Sequence, residues 1–134
     1  MKTHQFIVML AVAMLLIWGT AMMVVPKYQT TQEEIVAWLE EDCAIHRDYL
    51  NKPESLSTGD HAFHLKLIDR FEQIICYIKL EPTQITRADA IRFLDEAQAS
   101  HAGHPYINYE TALHHYTWFQ RYEKIKEFLK RRGP

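Results

Sequence analysis

The apolar residues of this chain fall into one unbroken block followed by stripes of helical period. Phe6 to Val25 reads FIVMLAVAMLLIWGTAMMVV, with no charge and only Gly19 and Thr20 outside the apolar set. At about 1.5 Å per helical residue such a block spans roughly 30 Å, the hydrocarbon thickness of a bilayer. Pro26 and Lys27 end it. Residues 1–26 therefore read as a short tail and a transmembrane signal-anchor helix. The competing reading is a cleavable signal peptide with Gly19-Thr20-Ala21 as its cleavage site. Against it, Met22, Met23, Val24 and Val25 would be left as an exposed apolar start to the mature chain.

Beyond Pro26 nothing alternates with period two for long enough to argue a sheet, and each stretch between Gly and Pro punctuation reads as a helix. Thr31 and Glu34 have capping-box spacing. Ile35, Trp38, Leu39, Cys43, Ile45, Tyr49 and Leu50 then share one face. A second helix is expected from Asp60, as N-cap, to about Leu80, with Phe63, Leu67, Ile68, Phe71, Ile74, Ile75 and Ile78 inward. Thr86, with Asp89 three residues on, caps a third helix carrying a thin stripe of Ile91 and Leu94. A fourth runs from near Asn108 to Gly133, and its apolar line shifts partway from Tyr109, Leu113 and Tyr116 to Trp118, Tyr122, Ile125 and Leu129. The expected fold is all-α: a single transmembrane helix followed by a small up-and-down bundle of about four helices over residues 27–134.

Charge adds topology to this outline. With 134 residues, 15 Lys+Arg against 17 Asp+Glu and a net charge of −2, the chain is too balanced for a nucleic-acid binder. Lys2 and the α-amino group place the N-terminus weakly on the cytoplasmic side by the positive-inside rule. The expected location is thus the cytoplasmic (inner) membrane, single-pass, with the helical domain outside the cytoplasm as a periplasmic domain. There Cys43 and Cys76 can pair as a disulfide, two buried thiols being the alternative. Arg121, Lys124, Lys126, Lys130, Arg131 and Arg132 make the C-terminal tip basic against an otherwise acidic body. Cations there complement the helix dipole; with a cytoplasmic domain, the same tip reads as a contact for anionic lipid.

The four glycines, at 19, 59, 103 and 133, are too dispersed for a phosphate-cradling loop. No Gly-x-Ser-x-Gly or Cys-x-x-Cys-His occurs, so a nucleophile elbow and covalent haem attachment are excluded, and neither Glu-x-x-His nor Cys-x-x-Cys is present as a specific metal signature. The unusual feature is eight histidines. Three follow an acid by four residues, the spacing that puts both side chains on one helical face: Asp42 with His46, Asp60 with His64, and Glu110 with His114. Asp42, His46, Asp60 and His64 lie within apolar arcs, where polar groups must satisfy one another or hold a metal. His101 and His104 are expected in a loop.

Two functions follow. The first is a membrane-anchored, non-catalytic interaction protein (accessory subunit, assembly factor or inhibitor of a toxic partner) that needs no cofactor. It would bind another, membrane-associated protein through Trp118, Tyr122, Ile125 and Leu129 with Lys130, Arg131 and Arg132. The second is a metal- or haem-binding bundle that uses Asp42, His46, Asp60, His64 and His114 from facing helices.

Overall fold

The computed structural model describes residues 29–52, 58–102 and 108–133. The anchor expected over residues 6–25 lies outside them. Among the described residues no helix is long and apolar enough to cross a membrane. Four helices account for nearly all of what is described, with no strand: α1 (Gln32–Leu50), α2 (Thr58–Lys79), α3 (Arg87–Ala102) and α4 (Tyr109–Arg131).

Local chemistry sets three of the four helix starts. Thr31 Oγ1 accepts from the Glu34 amide at 3.2 Å while Glu34 Oε2 accepts from the Thr31 amide at 2.9 Å, a complete capping box. Thr86 and Asp89 repeat the device at α3, at 3.1 and 3.0 Å. The hydrogen bonds from Thr86, together with Arg92, hold the Asp89 carboxyl down at about 2. At α4, Asn108 Oδ1 accepts from the Thr111 amide at 2.8 Å. The expected N-cap role of Asp60 is corrected: α2 is already helical at Thr58, which places Asp60 inside its first turn. An acid there still complements the dipole. The α2 C-terminus turns through Leu80, held at φ 60°, while the Glu81 amide closes onto the Cys76 carbonyl at 2.9 Å. The left-handed conformation costs a residue with a Cβ about 1–2 kcal/mol, and this helix end adopts it at a leucine and not at a glycine.

Ion pairs and hydrogen bonds report the register. Glu40 meets Lys79 at 3.7 Å and Arg47 meets Glu72, so α1 and α2 run antiparallel. Asp95 meets Lys126 at 2.7 Å and His101 meets His115 at 2.9 Å, so α3 and α4 do too. Glu41–Arg121 at 2.9 Å and Gln32–Arg132 at 3.0 Å lay α4 back along α1. The result is a helical bundle built of two hairpins, α1–α2 and α3–α4, closed on each other. Its core is Ile35, Leu39, Phe71, Ile74, Ile78, Leu94, Trp118, Tyr122, Ile125 and Leu129 with smaller neighbours. Each large apolar side chain in it contributes about 1.5–3 kcal/mol of burial.

The two faces of α4 are the reverse of the sequence expectation. Trp118 is 2 % exposed, and Tyr122, Ile125 and Leu129 are fully buried, whereas Tyr109, Leu113 and Tyr116 are open to solvent. The stripe assigned to a partner is the inner face of the bundle. Periodicity reveals that a stripe packs against something; it does not reveal that the something is the same chain. Of the basic tip, Lys130 and Arg131 are exposed. Arg132 is engaged within the fold, donating to the Ile78 carbonyl and to Gln32.

The disulfide expectation is also corrected. Cys43 and Cys76 are free thiols. Cys43 turns into the core, with its Sγ 3.9 Å from the Ile68 carbonyl, and burial pushes its thiol up to about 11.

Candidate functional site

The antiparallel register brings the end of α1, the start of α2, the end of α3 and the start of α4 to one end of the bundle. The hairpins part there around a cleft of about 690 Å³. Asp42, Ile45, His46 and Tyr49 of α1 and Phe63, His64 and Leu67 of α2 line one wall. Ala97, Ser100 and His101 of α3 and Glu110, Thr111, His114 and His115 of α4 line the other. Tyr49 and Phe63, assigned to the core by the wheel, are 46 % and 40 % exposed because they stand at this opening.

Five of the six histidines among the described residues meet here. Asp42, 2 % exposed, is the hub. On one side its Oδ1 lies 3.3 Å from His46 Nε2, and His46 Nδ1 meets His64 Nδ1 at 2.6 Å. His46 Nε2 is enclosed yet outside hydrogen-bond geometry with any partner; its approach to Asp42 is electrostatic. On the other side, the Tyr122 hydroxyl donates to Asp42 Oδ2 and lies 3.3 Å from His101 Nε2. His101 Nδ1 in turn meets His115 Nδ1 at 2.9 Å. Two branches thus leave one buried carboxylate, Asp42–His46–His64 into the α1–α2 hairpin and Asp42–Tyr122–His101–His115 into the α3–α4 hairpin.

The electrostatics follow from enclosure. Burial, with the neighbouring His46 ring, lowers the His64 imidazole from its ordinary value. Burial, only partly opposed by Asp42, takes His101 down to about 4, helped by the rings of His115, His114 and His46. Burial and then the Asp42 carboxylate keep the Tyr122 phenol protonated far above its usual range. His64 and His101 are therefore neutral near pH 7, the form that ligates metals. The described residues lining the cleft include no lysine or arginine.

Of the residues expected to ligate a metal, Asp42, His46 and His64 come together and His114 shares their cleft; Asp60 is not part of its lining. His101, expected in a loop, lies in the last turn of α3, and Tyr122, expected on a partner surface, is in the core. His101 is 14 residues from His115 and Tyr122 is 80 from Asp42, separations at which helical periodicity is silent. The one local hint was the adjacent His114-His115 pair, which puts an imidazole on two faces of the same helix. Among the described residues no three His, Cys, Asp or Glu side chains are grouped to hold a metal ion; the imidazoles meet in pairs. No protein family, curated protein or solved structure matches this chain.

Proposed function

We propose that this chain is a single-pass membrane protein whose helical domain, held outside the cytoplasmic membrane, binds a metal centre through imidazoles of the cleft. The anchoring part of the reading rests on the uncharged run Phe6–Val25, of bilayer-spanning length. The observation that carries the binding part is the convergence of five histidines, drawn from all four helices, on one cleft with a buried carboxylate and, among the described residues, no lining lysine or arginine. Neutral imidazole is the ligand that zinc, copper, iron and nickel share. A lining without lysine or arginine favours a positively charged or metal-bearing occupant over a phosphate-bearing one. Of the residues that the protein-partner reading names, Trp118, Tyr122, Ile125 and Leu129 are core, which leaves it the exposed Lys130 and Arg131.

The test is elemental analysis of the full chain, purified in detergent micelles through a tag that does not bind metals. Near-stoichiometric iron, copper, zinc or nickel that disappears in the His46→Gln/His64→Gln double variant supports the reading. A folded protein without metal, which also fails to take up any of these ions or a metal complex on titration, overturns it.

A further inference from the structure

The metal-binding reading names a site but not the chemical form in which the metal arrives, and three features of the cleft bear on that form. Its volume, about 690 Å³, lies in the roughly 300–1,000 Å³ range of sites for cofactor-sized molecules and far exceeds the roughly 30 Å³ share of a single water. Much of its wall is apolar, from Ile45, Tyr49, Phe63, Leu67 and Ala97. A bare ion needs three or four convergent protein donors, and no such group of three is present among the described residues. A metal held here must bring most of its donors with it, inside a large, largely apolar ligand.

The charge of Asp42 at the buried end of the pair favours one ligating atom. The Asp42 carboxylate beside His46 Nε2 favours the tautomer with the proton on that nitrogen, leaving His46 Nδ1 as an acceptor. His64 must then donate from its own Nδ1 across the 2.6 Å contact, which leaves a lone pair on His64 Nε2. A ligating histidine whose other nitrogen donates to a fixed acceptor is how proteins hold axial imidazoles. The His64 ring is further held by stacking on Tyr49, with centroids 5.2 Å apart and planes at 15°, and by the edge of Phe63 at 5.6 Å. The opposite wall offers His114, exposed and edge-on to Trp118 at 6.4 Å.

We propose that the cleft binds an iron porphyrin between the two hairpins, with His64 Nε2 as one axial ligand and His114 as the other. This rests on the metal-binding reading and assigns it a ligand. Four equatorial nitrogens come from the macrocycle, so the protein has only axial positions to fill. Asp42 and His46 are positioning residues that act through His64.

The test is titration of ferric haem into the full chain in detergent micelles, followed by absorbance against a micelle blank. The expected result is saturation at one haem per chain with a six-coordinate low-spin spectrum. His64→Gln weakens binding at least tenfold. His114→Gln, at an exposed position that the fold tolerates, retains haem but converts it to the five-coordinate high-spin form. His61→Gln, exposed and outside the lining, behaves as wild type. Absence of saturable binding, or identical spectra and affinities for all three variants, overturns the porphyrin assignment. Zinc or copper titrations on the same samples separate the two levels: ion binding lost in the His46→Gln/His64→Gln variant, with no haem uptake, leaves the metal-binding reading standing alone. Failure with both ions and haem removes both.

Discussion

Replacing Tyr122 with Phe tests whether the buried network contributes to folding as its geometry implies. The substitution deletes one oxygen. The ring keeps its packing against Phe71, centroids 6.0 Å apart, and against Trp118 at 5.8 Å, so no cavity of consequence opens. What is lost is a hydroxyl donor to a carboxylate where the phenol is fully buried and the acid 2 % exposed. A hydrogen bond to a charged group contributes about 1.5–3 kcal/mol, and stranding the acceptor adds part of its desolvation penalty. The expected loss is about 2–4 kcal/mol. With a urea m-value of about 2 kcal/mol/M for a domain of this size, the denaturation midpoint falls by about 1–2 M at unchanged m. The assay is far-UV circular dichroism against urea on wild type, Tyr122→Phe, Asp42→Asn and the double variant. Because both single changes cut the same contact, the double variant should be at least about 1 kcal/mol more stable than the sum of the singles predicts. A single-variant loss below about 0.5 kcal/mol, or strict additivity, would refute the picture of Asp42 as the buried hub.

Trp118→Ala should cost about 3–5 kcal/mol, as for a large core aromatic, while Tyr116→Ala, at a position 60 % exposed, should stay within about 0.5 kcal/mol by the same denaturation assay. Comparable losses at the two positions would return Trp118 to the surface. Since His101 is held down at about 4 against an ordinary 6.5, the unfolded chain binds more protons between those values. Its contribution is therefore complete above about pH 6.5 and is lost as pH falls toward 4, by about 1–2 kcal/mol once partial solvation of the ring is allowed for. His101→Gln should flatten that slope; an unchanged slope would remove His101 as its source. Cys43, buried and pushed up to about 11, should alkylate at pH 8 at least tenfold more slowly than the partly exposed Cys76, read by mass spectrometry on the single-cysteine variants. Equal rates would contradict the inward orientation of Cys43.

The helices were legible because what makes them is local. Thr31 with Glu34 and Thr86 with Asp89 are spacings of three residues, and the hydrogen bonds that cap the helices join those same pairs. The apolar face of α2 was legible for a similar reason: Leu67, Ile68, Phe71, Ile74, Ile75 and Ile78 are all buried, because a stripe that broad has nowhere to go but a core. The Asp42–His46 pair was visible for the same reason, one helical turn being a property of sequence alone.

What the sequence could not carry is which side of a helix faces which neighbour. On α4, two apolar stripes competed, and only the lay of α4 along α1, pinned by Glu41–Arg121 and Gln32–Arg132, turned Trp118, Tyr122, Ile125 and Leu129 inward. The same placement carried Tyr122 to Asp42 across 80 residues, and the α3–α4 register brought His101 to His115. Local sequence accounts for four helices, for the caps at Thr31 and Thr86, for most of the apolar stripes and for a supply of imidazoles. The gathering of five of those imidazoles into one cleft around a buried carboxylate was decided by tertiary structure, because contacts between hairpins depend on the packing of whole faces and leave no periodic trace in the chain.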